Sequence, residues 1–310
     1  MPAGEDVNKT ASEMGQLPPG WWQTVAAATA FLQEFANHEI PLLVTGIIDN
    51  SVQYSVYSGI LLRHEKMIVW LTAGHIVDEL VQVLSSPNFK LTTMVWLDDF
   101  SVKGAEGIRL HRTDIPMKSW KSTGHDVGVV LPSDVDLGNI LKNDKIQPID
   151  AGIWKNLSPI RPEGFYAISF PRPWSIHTKT PALISALVND VLLSLKADFA
   201  CLPLEVLQPL RENPDDPSWS DLKTFYGKIL PYIDYPINNL ENPKDLSGGP
   251  ILSFEWTTEG HIAYSLVGVI QSWVWAQSFI KAEAIDCIID EIDRWLKERN
   301  LDGIGKKGIP

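Results

Sequence analysis

The sequence predicts a mostly-β protein that ends in one amphipathic helix, and three observations carry that prediction. Short runs rich in β-branched and aromatic residues, bounded by polar turns, recur from Pro41 to Ser272. Between residues 282 and 299 a 3.6-residue periodicity stands out, with Ile285, Ile288, Ile289, Ile292, Trp295 and Leu296 on one face. No internal repeat and no apolar run long enough to span a membrane interrupts the pattern. Many short strands and one terminal helix spell a barrel or a sandwich.

The bulk numbers set the frame. A chain of 310 residues that is 45% hydrophobic can bury a real core, as one large domain or two packed halves. Its net charge of -12 comes from scattered acids, which argues against a nucleic-acid surface, since that needs clustered Lys and Arg. Two cysteines, Cys201 and Cys287, are too few for a disulfide framework and read as buried thiols. The polar, acidic opening Met1-Pro2-Ala3-Gly4-Glu5-Asp6 has no basic region leading into an apolar stretch, so the expected location is cytoplasmic.

Along the chain, residues 1–20 read as a loose tail. Val25, Ala28, Phe31, Leu32 and Phe35 then fall at helical spacing, with Trp21-Trp22 as an anchor for this 1–40 extension on the body. The body runs over 41–281. Strands are expected at 41–48, 53–62 and 67–72, with Asp49-Asn50 and Arg63-His64-Glu65-Lys66 as turns, and then at 89–96, 108–111 and 127–131. Further strands are expected at 164–170, 182–195 and 200–204. Residues 207–242 carry many prolines and acids and read as a surface excursion with one short helix near 222–229. Strands at 251–256 and 261–272 form a hairpin, the helix follows at 282–299, where acids lead and Lys297 and Arg299 come late, and 300–310 is a tail. Trp70, Trp96 and Trp256 are expected in the core.

Three chemistry-bearing residues sit at strand ends or turns: His75, Asp126 and Ser247. Acyl transfer by a serine needs a base within hydrogen-bond reach, and a carboxylate behind that base to fix its tautomer. For the carboxylate, Asp78 and Asp134 are rivals of Asp126, and Ser247-Gly248-Gly249-Pro250 alone is equally a hairpin turn. The chain order His, Asp, Ser excludes the orders of α/β-hydrolases and subtilisins. No His/Cys/Asp/Glu spacing suggests a metal, and no glycine loop suggests a nucleotide cofactor.

The residues also resemble a family. Ser58-Gly59-Ile60-Leu61-Leu62, Trp70-Leu71-Thr72-Ala73-Gly74-His75, Asp126-Val127-Gly128-Val129-Val130, Ser247-Gly248-Gly249-Pro250-Ile251 and Leu266-Val267-Gly268-Val269-Ile270 resemble, in order, segments of the chymotrypsin/trypsin-like serine peptidases, especially bacterial trypsin-like peptidase-domain proteins. The resemblance covers residues 42–298. It implies two antiparallel six-stranded β-barrels with an active site between them, and a triad of His75, Asp126 and Ser247. It also implies an oxyanion hole from the N–H groups of Asp245 and Ser247, and a specificity pocket along Ile270, Gln271, Ser272 and Trp273. Glu241 would lie near the pocket base and favour Lys or Arg at the cleaved bond, whereas Trp273 would cap or narrow the pocket. The long interval from Asp126 to Ser247 is consistent with 207–242 being an insertion.

The sequence departs from the family at two positions. Leu246 stands where digestive members have an aspartate that pairs with a newly cut N-terminus, so that activation switch is not expected. Asp245 stands where the family has glycine, and a carboxylate aimed at an oxyanion would oppose it. The expected function is therefore a serine endopeptidase acting on protein or peptide substrates. The alternative is a pseudo-peptidase or partner-gated peptide-binding module with an impaired oxyanion hole, and a third reading is a latent peptidase opened by a regulatory protein that docks on 1–40 or 207–242.

Overall fold

A computed structural model describes residues 21–35, 38–98, 109–112, 118–141, 146–150, 164–169, 183–188, 191–196, 200–206, 224–230, 246–256, 262–274 and 279–298. Asp245, Glu241 and both terminal tails lie outside these residues.

The N-terminal half builds two four-stranded sheets. The first has the order β2-β1-β5-β6, from Leu42–Ile48 (β1), Ser51–Tyr57 (β2), Lys90–Asp98 (β5) and Arg109–Arg112 (β6). β1 and β2 form a two-residue hairpin in which Asp49 and Asn50 both take positive φ, the geometry of a type I′ turn and one that Asp and Asn tolerate. The second sheet has the order β3-β4-β8-β7, from Ile60–His64 (β3), Met67–Ala73 (β4), Lys118–Lys121 (β7) and Val127–Leu131 (β8). Ile40, Leu42, Leu61, Trp70, Met94 and Trp96 pack between the two sheets.

Among the described residues the expected first barrel does not close. One continuous strand was expected over 53–62, and the chain breaks it at Ser58-Gly59. The ring of Trp70 lies where a Gly59 side chain would begin, 2.3 Å from an ideal Cβ. The flanking backbone pairs elsewhere: Ile40 N–H donates to Gly59 O at 3.0 Å, and Leu61 N–H donates to His38 O at 3.0 Å. Those bonds take the edge that closure would need.

The C-terminal half does close. β12-β13-β16-β15-β14-β9 form one six-stranded barrel from Gly164–Ser169 (β9), Ala200–Val206 (β12), Thr224–Ile229 (β13), Pro250–Trp256 (β14), Ile262–Val274 (β15) and Phe279–Ala284 (β16). A separate hairpin joins Leu183–Val188 (β10) to Val191–Lys196 (β11). β13 corrects the expected helix at 222–229. Phe225 points into the barrel core beside Phe165 and Leu204, and pairing with β12 and β16 overrides any local helical spacing.

Among the described residues four α-helices join these sheets: Val25–Phe35 (α1), Gly74–Ser85 (α2), Asp134–Ile140 (α3) and Ile285–Glu298 (α4). α1 and α4 fill the space between the halves. Phe31 and Phe35 of α1 pack with Tyr166, Phe254 and Tyr264 of the barrel, and the Trp21 and Trp22 rings meet Phe254 at centroid distances of 6.2 and 6.0 Å. α4 buries the six apolar residues read from its sequence, but its first turn begins at Ile285, because 279–284 is spent on β16. Trp295 stacks on Trp120 at 5.7 Å, and Asp293 pairs with His64 of β3 at 2.5 Å.

Two buried titratable groups flank this seam. His38 Nδ1 donates to Gln147 O, which leaves its Nε2 to accept the Tyr264 hydroxyl at 2.5 Å. Burial lowers its pKa, against smaller raising effects from the Gln147 carbonyl and Asp150. Glu39 is 1% exposed, and neither carboxylate oxygen has a hydrogen-bond partner among the described residues. Burial holds its pKa well above the ordinary 4.5. Unfolded glutamate ionises first, so stability from the protonated carboxyl is complete below that ordinary value and is lost as pH rises toward the folded one. Glu39→Gln is therefore expected to stabilise the fold by about 1–3 kcal/mol near pH 8 and by almost nothing near pH 4. Urea unfolding at the two pH values checks this, and a gain independent of pH would contradict it.

Candidate active site

The antiparallel β4–β8 ladder brings His75 and Asp126 together. Thr72 pairs with Gly128 and Ala73 with Val127, so the C-terminal end of β4 lies beside the N-terminal end of β8. The chain leaving β4 turns into α2 at His75, and the loop entering β8 delivers Asp126. The Asp126 carboxylate then accepts two bonds from one residue: His75 N–H donates to Oδ1 at 2.7 Å, and His75 Nδ1 donates to Oδ2 at 2.8 Å.

This carboxylate does two jobs. The N-cap of α2, Ala73, offers no side-chain cap, so Asp126 satisfies a first-turn N–H from outside and places negative charge at the positive end of the helix. It also holds the proton on Nδ1, leaving the Nε2 lone pair as the basic nitrogen of His75. Burial raises the Asp126 pKa, but the His75 imidazole hydrogen bond and charge, the His75 N–H and Lys121 outweigh it, and the net shift is downward. The rivals are placed elsewhere: Asp78 pairs with Lys121, and Asp134 sits in the first turn of α3, which the Ser133–Asp136 capping box starts.

Ser247 sits in the turn before β14. Gly248 has φ +87, and an ideal Cβ there would lie 2.4 Å from Ser58 O, 2.4 Å from Thr72 Oγ and 2.8 Å from Ile76 Cδ1. Thr72 and Ile76 flank His75 in sequence, so the glycine is what lets the serine turn seat against the start of α2. Gly248→Ala is expected to destabilise the fold by about 3 kcal/mol or more, through φ strain and collision with backbone. A thermal melt checks this; an unchanged melt would contradict it.

Hydroxyls support the turn from below. Thr72 Oγ donates to Ser58 O at 2.8 Å. Ser169 Oγ donates to Leu246 O at 3.0 Å, so the 3.0 Å contact between Ser58 and Ser169 has Ser58 as donor. This run links both halves directly under Ser247. Nothing in the sequence marked Ser169, a lone polar residue at the end of an apolar strand.

The amides of the turn are partly committed. Gly248 N–H donates to Ile270 O at 2.8 Å and Gly249 N–H to Leu246 O at 3.2 Å. The Ser247 hydroxyl donates to Gln271 O at 2.8 Å and not to His75. Ile270, Gln271 and Ser272 of β15 thus run beside the serine turn. The Ile270 side chain lies in the barrel core, and the Gln271 amide donates to Glu283 Oε2. The side chain of Trp273 lies outside the described residues, as do Glu241 and Asp245.

The loop carrying Asp126 is itself pinned. Ser122 Oγ accepts the N–H groups of Gly124 and His125 at 3.2 and 3.1 Å, and donates to Glu291 of α4. His125 Nδ1 meets Glu283 Oε1 at 2.5 Å. Cys201 and Cys287 both remain thiols. Burial, and secondarily Glu39, push the Cys201 thiol up well above its ordinary pKa.

No protein-family model matches the chain, and no curated protein matches it in sequence. Among solved structures it is similar to the tobacco etch virus protease complexed with product, at 11% identity, 91% coverage of this chain, 82% of that one and a TM-score of 0.36. It is similar to kallikrein-related peptidase 10 at 13% identity, with 86% and 98% of the two chains covered and a TM-score of 0.40. It is also similar to a thermostable serine protease from an extremophilic microorganism, at 11% identity, with 84% and 99% covered and a TM-score of 0.39. Among the described residues the chain is a mostly-β protein with one closed six-stranded barrel and a C-terminal helix.

Proposed function

We propose that the chain is a serine endopeptidase acting on protein or peptide substrates in the cytoplasm. The observation that carries this reading is the double hydrogen bond from His75 to Asp126, with the Gly248 turn seated against the residues that flank His75. A carboxylate that fixes the Nδ1 proton leaves Nε2 as a general base facing away from it.

In the proposed reaction His75 Nε2 takes the Ser247 proton as Oγ bonds to the scissile carbonyl carbon. The imidazolium, stabilised by Asp126, gives that proton to the leaving amine as the C–N bond breaks. Water then repeats the sequence on the acyl-enzyme and restores Ser247. The N–H of Ser247, with that of Asp245, would hold the oxyanion, since the Gly248 and Gly249 amides are already committed to backbone carbonyls. The Ser247 hydroxyl must first leave Gln271 O, at a cost of about 0.5–1.5 kcal/mol. That is small against the barrier lowering such machinery supplies.

The same bond to Gln271 O favours a second reading, a peptide-binding pseudo-peptidase whose serine stays parked. A peptide-library cleavage profile separates the two. The endopeptidase reading expects internal cleavage by the wild type and none by Ser247→Ala, with Glu241 predisposing the profile to Lys or Arg before the cut. Binding of library peptides without cleavage would favour the second reading.

A further inference from the structure

Behind the proposed active site, three donor side chains converge that no sequence spacing could reveal. His125 comes from the loop before β8, Glu283 from β16, and Cys287 from the first turn of α4. One ligand atom from each lies within 4.8 Å of the other two. We propose that His125, Glu283 and Cys287 form a binding site for a divalent metal of the zinc class, with solvent or a further group completing the shell.

The donor set selects the metal. An imidazole nitrogen, a thiolate and a carboxylate oxygen are the ligand types Zn2+ takes, at about 2.0–2.1, 2.3 and 2.0–2.2 Å, whereas Ca2+ and Mg2+ require oxygen. Tetrahedral angles at those lengths set donor atoms roughly 3.3–3.7 Å apart. The His125 Nδ1–Glu283 Oε1 pair, at 2.5 Å, therefore opens by about 1 Å when a metal replaces the proton it shares. The surroundings suit this. Gln271 Nε2 donates to the other oxygen, Glu283 Oε2, which orients the carboxylate as outer-shell partners do. Glu283 is buried, while His125 is 27% exposed at its side chain and Cys287 is partly exposed, which gives the ion a route in.

The position gives the site a consequence. His125 immediately precedes Asp126, and the Gln271 that steadies Glu283 offers its carbonyl to Ser247. A metal here clamps the loop carrying Asp126 to the junction of β16 and α4. Binding removes the Cys287 proton, so affinity rises with pH.

The test titrates the purified full-length chain with Zn2+ against a chromophoric chelator, and with Co2+ as the spectroscopic probe. Expected are one equivalent bound, a thiolate-to-Co2+ charge-transfer band, and a rise in Tm of at least ~3 °C with excess Zn2+. All three are expected to vanish in Cys287→Ser and His125→Gln, with Ca2+ giving none. His75→Ala keeps all three, because its imidazole belongs to a different cluster. Absence of binding by the wild type would overturn the proposal. So would binding that survives Cys287→Ser or is lost with His75→Ala. Cys287→Ser, a near-isosteric change at a partly exposed position, keeps the test open if His125→Gln fails to fold.

Discussion

His75→Ala is expected to lower kcat on the best library peptide by roughly 10^4- to 10^6-fold with KM little changed, because it removes the proposed general base for both halves of the reaction. Asp126→Asn is expected to lower kcat by roughly 10^4-fold, since an amide cannot hold the Nδ1 proton as a carboxylate does. It also weakens the external cap on α2, so its melt shifts downward while that of His75→Ala stays near the wild type. Steady-state kinetics beside thermal melts separate the two roles. An Asp126→Asn protein with full turnover would remove Asp126 from the mechanism.

The second large effect concerns α1. Residues 1–40 read as an extension whose removal would open a latent enzyme, yet Phe31 and Phe35 are 1% and 0% exposed and belong to the core shared by both halves. Phe31→Ala is expected to cost about 3–5 kcal/mol, a fall in Tm on the order of 10 °C. Removing residues 1–37 takes away both phenylalanines and the Trp21–Trp22 anchor, and is expected to leave a chain that does not fold cooperatively. Circular dichroism melts check both. A folded, more active truncation would contradict this and support the latent reading.

Legibility in the sequence followed the range of the forces involved. Strands at 41–48, 67–72, 127–131 and 251–256 are readable because runs rich in β-branched and aromatic residues and turn residues such as Asp49-Asn50 act locally. The apolar face of α4 was readable for the same reason. α2 was not, because Ala73 supplies no cap and the capping carboxylate comes from Asp126, far along the chain. Residues 222–229 suggest a helix on their own, and the strand β13 forms there because its two barrel neighbours, β12 and β16, decide it. Closure of the first half failed at Gly59, where the Trp70 ring takes the space and His38 and Ile40 take the edge. In the candidate site, His75, Asp126 and Ser247 carry side-chain chemistry that a motif preserves. The acceptor that holds the Ser247 hydroxyl is a backbone carbonyl, and the His125–Glu283–Cys287 cluster is assembled from distant segments; neither leaves a local pattern.

The most direct measurement needs no substrate. Incubating the full-length protein with a fluorophosphonate and mapping the adduct by peptide mass spectrometry asks whether one serine is activated. A single stoichiometric adduct on Ser247 is expected, absent from Ser247→Ala and slowed by orders of magnitude in His75→Ala. No adduct on Ser247, or one formed equally fast without His75, would contradict it.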